Sequence, residues 1–316
     1  MCLNINKKGF VLDKKDQKKL NCRICNSTNT NYLCSVFNEH SKTTKLDIYR
    51  CVDCGSVFVG NAVDSAELGI AYSTLDSKKY YEEIESENKK KMIDAIRDLK
   101  KIVSESSEII DIGAGNGFFI ELLNEAGFKN LFAHEIPGGD LSKIKNIVKE
   151  IYTDFNYEKI PSNSFEVVTL LDVVEHVPNP MYLINMVNRI LKKNGKIYFH
   201  TPVVTKTDRL MHVLQKIPLL GKFGTIWQRG RTNIFHLENY TPKSLRLLLE
   251  KTGFTDIKIE VKNELSWPVT RYIRVHLLEK QGFPTFLAPF FLPFFYPILA
   301  TNLFNANKAI VSASKK

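Results

Sequence analysis

The chain of 316 residues has no apolar run both long enough and unbroken enough to read as a plain membrane span. The nearest approach is Phe286 to Ala300, and Pro289, Pro293 and Pro297 within it read as repeated helix breaks. No apolar segment opens the sequence: Met1 to Leu20 is a lysine-rich polar arm, so the cytoplasm is the expected compartment. Internal repeats and long low-complexity tracts are lacking as well. Acid is in short supply, with 34 Asp and Glu against 44 Lys and Arg, a net charge of +10. Such a surplus either draws anionic partners (phosphates, nucleic acid, an acidic membrane surface) or simply keeps the protein soluble. The remaining composition, 44% hydrophobic and 25% charged, is that of a soluble globular protein, and the length suits one large domain and one small one.

The densest information lies in Ile109-Ile110-Asp111-Ile112-Gly113-Ala114-Gly115-Asn116-Gly117. An apolar run ending in an acid and then in three alternate glycines reads as a buried parallel strand bending sharply into a helix. Phe119, Leu122, Leu123 and Ala126 continue at helical spacing, and Gly127 supplies a stop. The glycines let backbone approach a ligand without a Cβ clash. A dinucleotide fingerprint would place its third glycine at Phe118, so G-x-G-x-G argues against a nicotinamide cofactor. The next apolar run, Asn130 to Glu135, ends in a carboxylate 18 residues after Gly117, placed to accept hydrogen bonds from ribose hydroxyls. Ile151 to Phe155 then offers an acid and an aromatic, followed by the runs Phe165 to Val177 and Gly195 to Pro202.

In this order the segments resemble the motifs of class I S-adenosylmethionine-dependent methyltransferases. The resemblance covers about residues 106 to 203 and resumes at His236 to Ile259 and in the last strand. It implies an α/β, Rossmann-like seven-stranded sheet with helices on both faces and one antiparallel strand near its edge. It also implies that S-adenosylmethionine contacts fall to Asp111, Gly113, Gly115, Gly117, Glu135, Asp154, Phe155 and Leu171, although Asp111 can equally serve to order the glycine bend.

Four cysteines form two close pairs, Cys22-Arg23-Ile24-Cys25 and Cys51-Val52-Asp53-Cys54. Two C-x-x-C knuckles give four thiolates able to close around tetrahedral zinc. Asn26 and Gly55, which tolerate positive φ, follow the pairs, and β-like runs (31–37, 46–50) lie between them. This pattern reads as a small zinc ribbon with structural zinc. A redox pair would need only one C-x-x-C, opening a helix after a strand.

The expected organisation is a basic arm (1–20), the ribbon (21–60), a linker and helix (61–105), and a methyltransferase domain (106–316) with insertions at 204–235 and 265–303. Helices are expected over 78–103 and 181–193, with another capped by Thr241 and begun by Pro242. The first insertion is basic: Val204 to Arg231 holds six Lys and Arg against Asp208 alone. The second carries the aromatic run beside Arg271, Arg274 and Lys280. Together they suggest a phosphate-bearing or lipid-linked acceptor, with peripheral membrane contact through 265–303 set against a lid or core packing.

Methyl transfer needs an aligned acceptor and often a base. His176, after the fourth strand, is the first candidate, and His236 the second; His200 at the end of the fifth strand is a further possible lining residue. Arg229 and Arg231 are candidates to hold a phosphate. Asp172-x-x-Glu175-His176 resembles a metal-binding pattern of ubiquinone-pathway O-methyltransferases, with Asp172 where that family carries Glu; most relatives with a Glu-His-Val segment need no metal. A ribbon before a methyltransferase domain resembles bacterial enzymes of sugar and cell-envelope glycan modification. The expected function is therefore methylation, mainly at oxygen, of a small-molecule, sugar or lipid-linked glycan acceptor in polysaccharide biosynthesis. The rivals are an RNA methyltransferase, whose common Asn/Asp-Pro-Pro-aromatic tetrad is missing here, and a non-catalytic cofactor-binding module.

Overall fold

The structure, a computed structural model, describes residues 4–6, 9–11, 20–37, 45–60, 77–137, 140–154, 157–214, 217, 236–264, 269–278, 284–301 and 305–316. In chain order the strands and helices begin with a short ladder, β1 (Asn4–Asn6) and β2 (Gly9–Val11), within the basic arm. Then come β3 (Thr30–Phe37), β4 (Lys45–Cys51), β5 (Val57–Val59), α1 (Ser77–Leu99), β6 (Ile109–Ile112), α2 (Phe118–Glu125), β7 (Leu131–His134) and β8 (Glu150–Tyr152). The chain continues through β9 (Phe165–Leu171), α3 (Pro180–Ile190), β10 (Leu191–Pro202), α4 (Lys206–Leu214), β11 (Glu238–Asn239) and α5 (Pro242–Lys251). It ends with β12 (Phe254–Lys262), α6 (Val269–Tyr272) running into a π-helical turn (Ile273–Leu278), α7 (Ala288–Ala300) and β13 (Lys308–Lys315). The expected linker at 61–76 and Arg229 and Arg231 lie outside the described residues, as does most of 204–235 beyond α4.

The chain divides into two compact units. The first gathers Gly69–Thr201, Arg246–Glu260 and Ile310–Lys316 around a seven-stranded sheet ordered β12-β13-β10-β9-β6-β7-β8. β6 runs parallel to β7 and β9, and the ladders β7–β8 and β9–β10 are parallel too. All four residues of β6 are buried, as an apolar strand covered on both faces must be. β13 runs against its neighbours. At its start Val203 N–H donates to the Asn307 carbonyl (2.9 Å) and Asn307 N–H to that of Lys262 (2.9 Å). At its end Lys316 N–H reaches the Gly253 carbonyl (3.3 Å). The fold is thus the expected Rossmann-like methyltransferase sheet with flanking helices. Its core joins Leu99, Ile109, Leu123, Phe128, Leu131 and Val167, so α1, α2 and the central strands bury one apolar mass.

The second unit gathers Met1–Leu68, Pro202–Leu245 and Val261–Ala309, and so holds the ribbon with both insertions. Its four-stranded sheet is ordered β11-β5-β4-β3. The hairpin β3–β4 was expected; β11, a strand from 238–239 paired antiparallel to β5, was not. A separate apolar cluster joins Met211 of α4, Val269 of α6, Ile273, Leu278 and Leu299 of α7.

Two expectations change. The helix expected to reach Lys193 stops at Ile190, because Leu191, fully buried, already pairs with Phe165 in the sheet. The proline-rich run forms a continuous helix of 13 residues instead of breaking. Pro289 sits in the first turn, where its missing N–H costs nothing, and Pro293 and Pro297 repeat at four-residue spacing on the exposed side. The Thr301 hydroxyl donates to the Pro297 carbonyl at 2.8 Å, satisfying an acceptor at the helix end.

Candidate active site

The site grows from the end of β6. Gly113, Gly115 and Gly117 all have positive φ (74°, 61° and 84°), which puts the bend in the left-handed region where a side chain is strained. Space forbids one as well. A Cβ on Gly113 would stand 2.7 Å from Val173 Cγ2, and one on Gly117 would stand 2.5 Å from Ile144 Cγ2. The bend hangs from β7: Gly113 and Ala114 N–H both donate to the His134 carbonyl, at 2.9 and 3.0 Å. α2 then starts at Phe118 and gives the bend a helix N-terminus, an anion-tolerant end.

Glu135 follows β7 and closes the loop. Its carboxylate accepts Gly115 N–H at 2.6 Å and Ile136 N–H at 2.8 Å. Burial pushes its carboxyl up, and the two amides oppose that by favouring the charged form. Each oxygen keeps a second lone pair open to a ligand hydroxyl. Asp111 lies deeper, fully buried, and accepts the Thr169 hydroxyl across the β6–β9 pair at 2.6 Å. Burial raises Asp111 to about 7, with Thr169 opposing and the Glu135 charge adding to the rise. The bend sits where the chain order reverses between β6 and β9, outside the carboxyl ends of parallel strands, the usual ligand crevice of an open sheet.

Asp154 organises the turn after β8. It accepts Tyr157 N–H at 3.0 Å and Lys159 N–H at 3.2 Å, and its backbone carbonyl meets His134 Nε2 at 2.9 Å. Phe155 lies outside the described residues. Leu171 ends β9, half-buried, paired with His200 on β10. Sequence reasoning missed Tyr157, whose ring stands 4.7 Å from that of His134; burial, then Glu135, raises its phenol to about 12. Only its place beside Asp154 and Phe155 hinted at it.

His176 closes a short 3-10 turn, Val174–His176, after β9, and its N–H donates to the Val173 carbonyl at 2.9 Å. Its neighbour Glu175 is buried and accepts the Thr201 hydroxyl at 3.0 Å; burial raises its carboxyl to about 8. His200 is also buried, with Nε2 at 2.9 Å from the Tyr198 hydroxyl, so it belongs to a side-chain chain within the sheet unit. His236 belongs to the ribbon unit, half-buried, just before β11.

The Sγ atoms of Cys22, Cys25, Cys51 and Cys54 all lie within 4.8 Å of one another. The Cys22–Cys54 and Cys25–Cys51 pairs are each 3.5 Å apart. A zinc tetrahedron with Zn–S of about 2.3 Å has sulfur edges of about 3.8 Å, so the set is close to that size. The hydrogen bond between Cys22 and Cys54 lowers the first thiol and raises the second, and burial raises Cys25. Packed sulfurs that must share protons in this way are the donor set a divalent cation displaces protons from. Asn26 (φ 63°) and Gly55 (φ 80°) turn the knuckles in the left-handed region. The second knuckle also holds the start of α5: the Thr241 hydroxyl donates to the Cys54 carbonyl at 2.6 Å, and Lys243 Nζ to that of Asp53 at 2.7 Å. Thr241 and Ser244 cap that start reciprocally, at 2.8 and 3.0 Å.

A family profile described as a methyltransferase domain matches residues 84–259, more than half of the chain. The chain belongs to this methyltransferase family. By family and by fold it carries a class I methyltransferase domain. Among curated relatives, a ubiquinone biosynthesis O-methyltransferase of Colwellia psychrerythraea is 31% identical over 121 residues, 36% of this chain and 49% of that protein. The protein of the same name from Idiomarina loihiensis is 29% identical over 165 residues, 48% of this chain and 63% of that one. The methyltransferase chain thus spans only about half to under two thirds of these relatives. Among solved structures, a chain of the Haloferax volcanii complex between the Trm112 methyltransferase activator and a methyltransferase has a TM-score of 0.50 at 13% identity. That match covers 75% of this chain and 91% of the other, and shows a shared fold.

Proposed function

We propose that the whole protein transfers the methyl group of S-adenosylmethionine to a hydroxyl of a small amphiphilic acceptor. The observation that carries this reading is the glycine bend with its amide held by Glu135. The tight bend lets the donor approach the backbone at the start of α2, whose helix N-terminus favours the donor's carboxylate, and the remaining lone pairs of Glu135 accept its ribose hydroxyls. Asp154, Phe155 and Leu171 frame the adenine. Asp111 acts from beneath by fixing the bend through Thr169.

The donor supplies an electrophilic methyl on a positively charged sulfur. The acceptor oxygen attacks in line, the carbon–sulfur bond breaks, and its electron pair stays on sulfur. His176 takes the hydroxyl proton, and His236 is the alternative base. Supporting transfer to oxygen, the curated relatives carry the name O-methyltransferase. The ribbon-plus-methyltransferase organisation and the basic, aromatic insertions support a sugar or lipid-linked glycan as the acceptor class. Zinc in the Cys22, Cys25, Cys51 and Cys54 set would supply structural cross-linking, not chemistry.

Mass spectrometry of a lipid and glycan extract incubated with the enzyme and isotopically labelled donor tests this reading. A labelled methyl on a hydroxyl-bearing small molecule is expected, and it is expected to vanish in His176→Ala while donor binding persists. Turnover retained in that variant would move the base to His236. Labelling only of added RNA would overturn the small-molecule reading.

A further inference from the structure

Helix α7 and the Thr285–Leu287 turn before it split into two faces. Leu292, Phe295 and Leu299 pack into the apolar cluster with α4 and α6. The other face carries Phe286, Phe290 and Phe294 at four-residue spacing, 72%, 72% and 73% exposed. Tyr296 is 54% exposed beside them, and no charged residue interrupts the helix. Water does not favour three bare phenylalanines in one stripe, and a contiguous patch of this kind marks an interaction surface.

The same cluster presents charge of one sign. On α4, Lys206, Arg209 and Leu210 are exposed, whereas Asp208 is buried and its carboxylate accepts Thr205 N–H at 2.7 Å. Arg271 of α6 and Arg274 of the following turn are exposed, while Val269 and Ile273 on the same stretch belong to the cluster. Among the described side chains of these helices, every exposed charge is therefore basic. The 13 residues of α7 span about 20 Å, short of the ~30 Å hydrocarbon thickness, and among the described residues no helix is long and apolar enough to cross a membrane. Phenylalanines reaching outward, a tyrosine among them, and guanidinium groups on the same cluster form the pattern of a helix lying in a lipid interface.

We infer that the α7 face docks this protein onto an anionic lipid bilayer, with Phe286, Phe290 and Phe294 entering the acyl boundary and Arg271 and Arg274 meeting lipid phosphates. This goes beyond the methyl-transfer reading and does not depend on it.

Sedimentation of the full chain with vesicles tests it. One vesicle set is phosphatidylcholine alone; the other is phosphatidylcholine mixed with phosphatidylglycerol. The protein is expected in the pellet with the mixed vesicles, and added salt is expected to weaken that binding. F286S/F290S/F294S is expected to stay in the supernatant, and R271Q/R274Q to lose about 25-fold in partitioning, near fivefold for each charge. Unchanged circular dichroism and an unchanged cooperative thermal transition in both variants show that they remain folded. Absence of the parent protein from both vesicle pellets would overturn the proposal. So would a dimer in light scattering that the triple variant loses, without lipid binding by the parent, since the stripe would then cover a second copy of the chain.

Discussion

Single residues set the glycine bend. Gly113→Ala and Gly117→Ala each add a Cβ at positive φ, within 2.7 Å of Val173 and 2.5 Å of Ile144. Each is expected to cost about 1–3 kcal/mol of stability and to abolish donor binding, as read by chemical denaturation and calorimetry. Glu175 makes a prediction in pH. Its folded carboxyl titrates at about 8 against an ordinary 4.5, so between these values the folded state holds more protons than the unfolded one. Stability then falls as pH rises from about 5 to 8, and Asp111, raised to about 7, adds to the same decline. Denaturation curves at pH 5.5 and 8 (about one unit above the ordinary value, and at the folded one) are expected to show a shallower decline for Glu175→Gln. An equal decline in the variant would put the titration elsewhere. The bend at Gly113, Gly115 and Gly117 and the carboxylate after β7 were legible because positive-φ turns and strand ends leave local signatures. Tyr157 and the Thr169 partner of Asp111 were not, since their neighbours come from other strands.

At the scale of elements, periodicity was enough to find the central strands, α1, α2 and the cap at Thr241. It failed where tertiary pairing decides. Leu191 leaves the helix for the sheet because β9 offers it a buried partner in Phe165. β11 is two residues long and carries no strand pattern of its own; it exists because β5 offers an edge. The prolines of α7 misled because breaker rules assume an isolated helix, whereas Leu292, Phe295 and Leu299 hold this one against a cluster. The ribbon makes its own prediction. One zinc per chain is expected by elemental analysis, and a strong chelator is expected to release it and loosen the start of α5, which hangs on the Asp53 and Cys54 carbonyls. Hydrogen exchange across 241–246 reads that loosening directly. Unchanged protection after full metal removal would show that the hairpin holds α5 without metal.

For the whole molecule, the sheet order and the family match place the chain in the methyltransferase family. The two insertions belong to the ribbon unit, not to the sheet. That grouping was not legible in sequence, because it joins Met1–Leu68 to a segment that resumes only at Pro202, through contacts that no local pattern encodes. The net charge of +10 was legible from composition alone, but the placing of Lys206, Arg209, Arg271 and Arg274 on exposed positions of one helical cluster needed three dimensions. The most direct measurement of the central claim is a calorimetric titration of the full chain with S-adenosylmethionine, repeated on Glu135→Ala. Saturable one-to-one binding is expected, weakened about tenfold to a hundredfold by the substitution, the scale of lost hydrogen bonds to a charged group. No heat from the parent chain, or equal affinity in the variant, would contradict it.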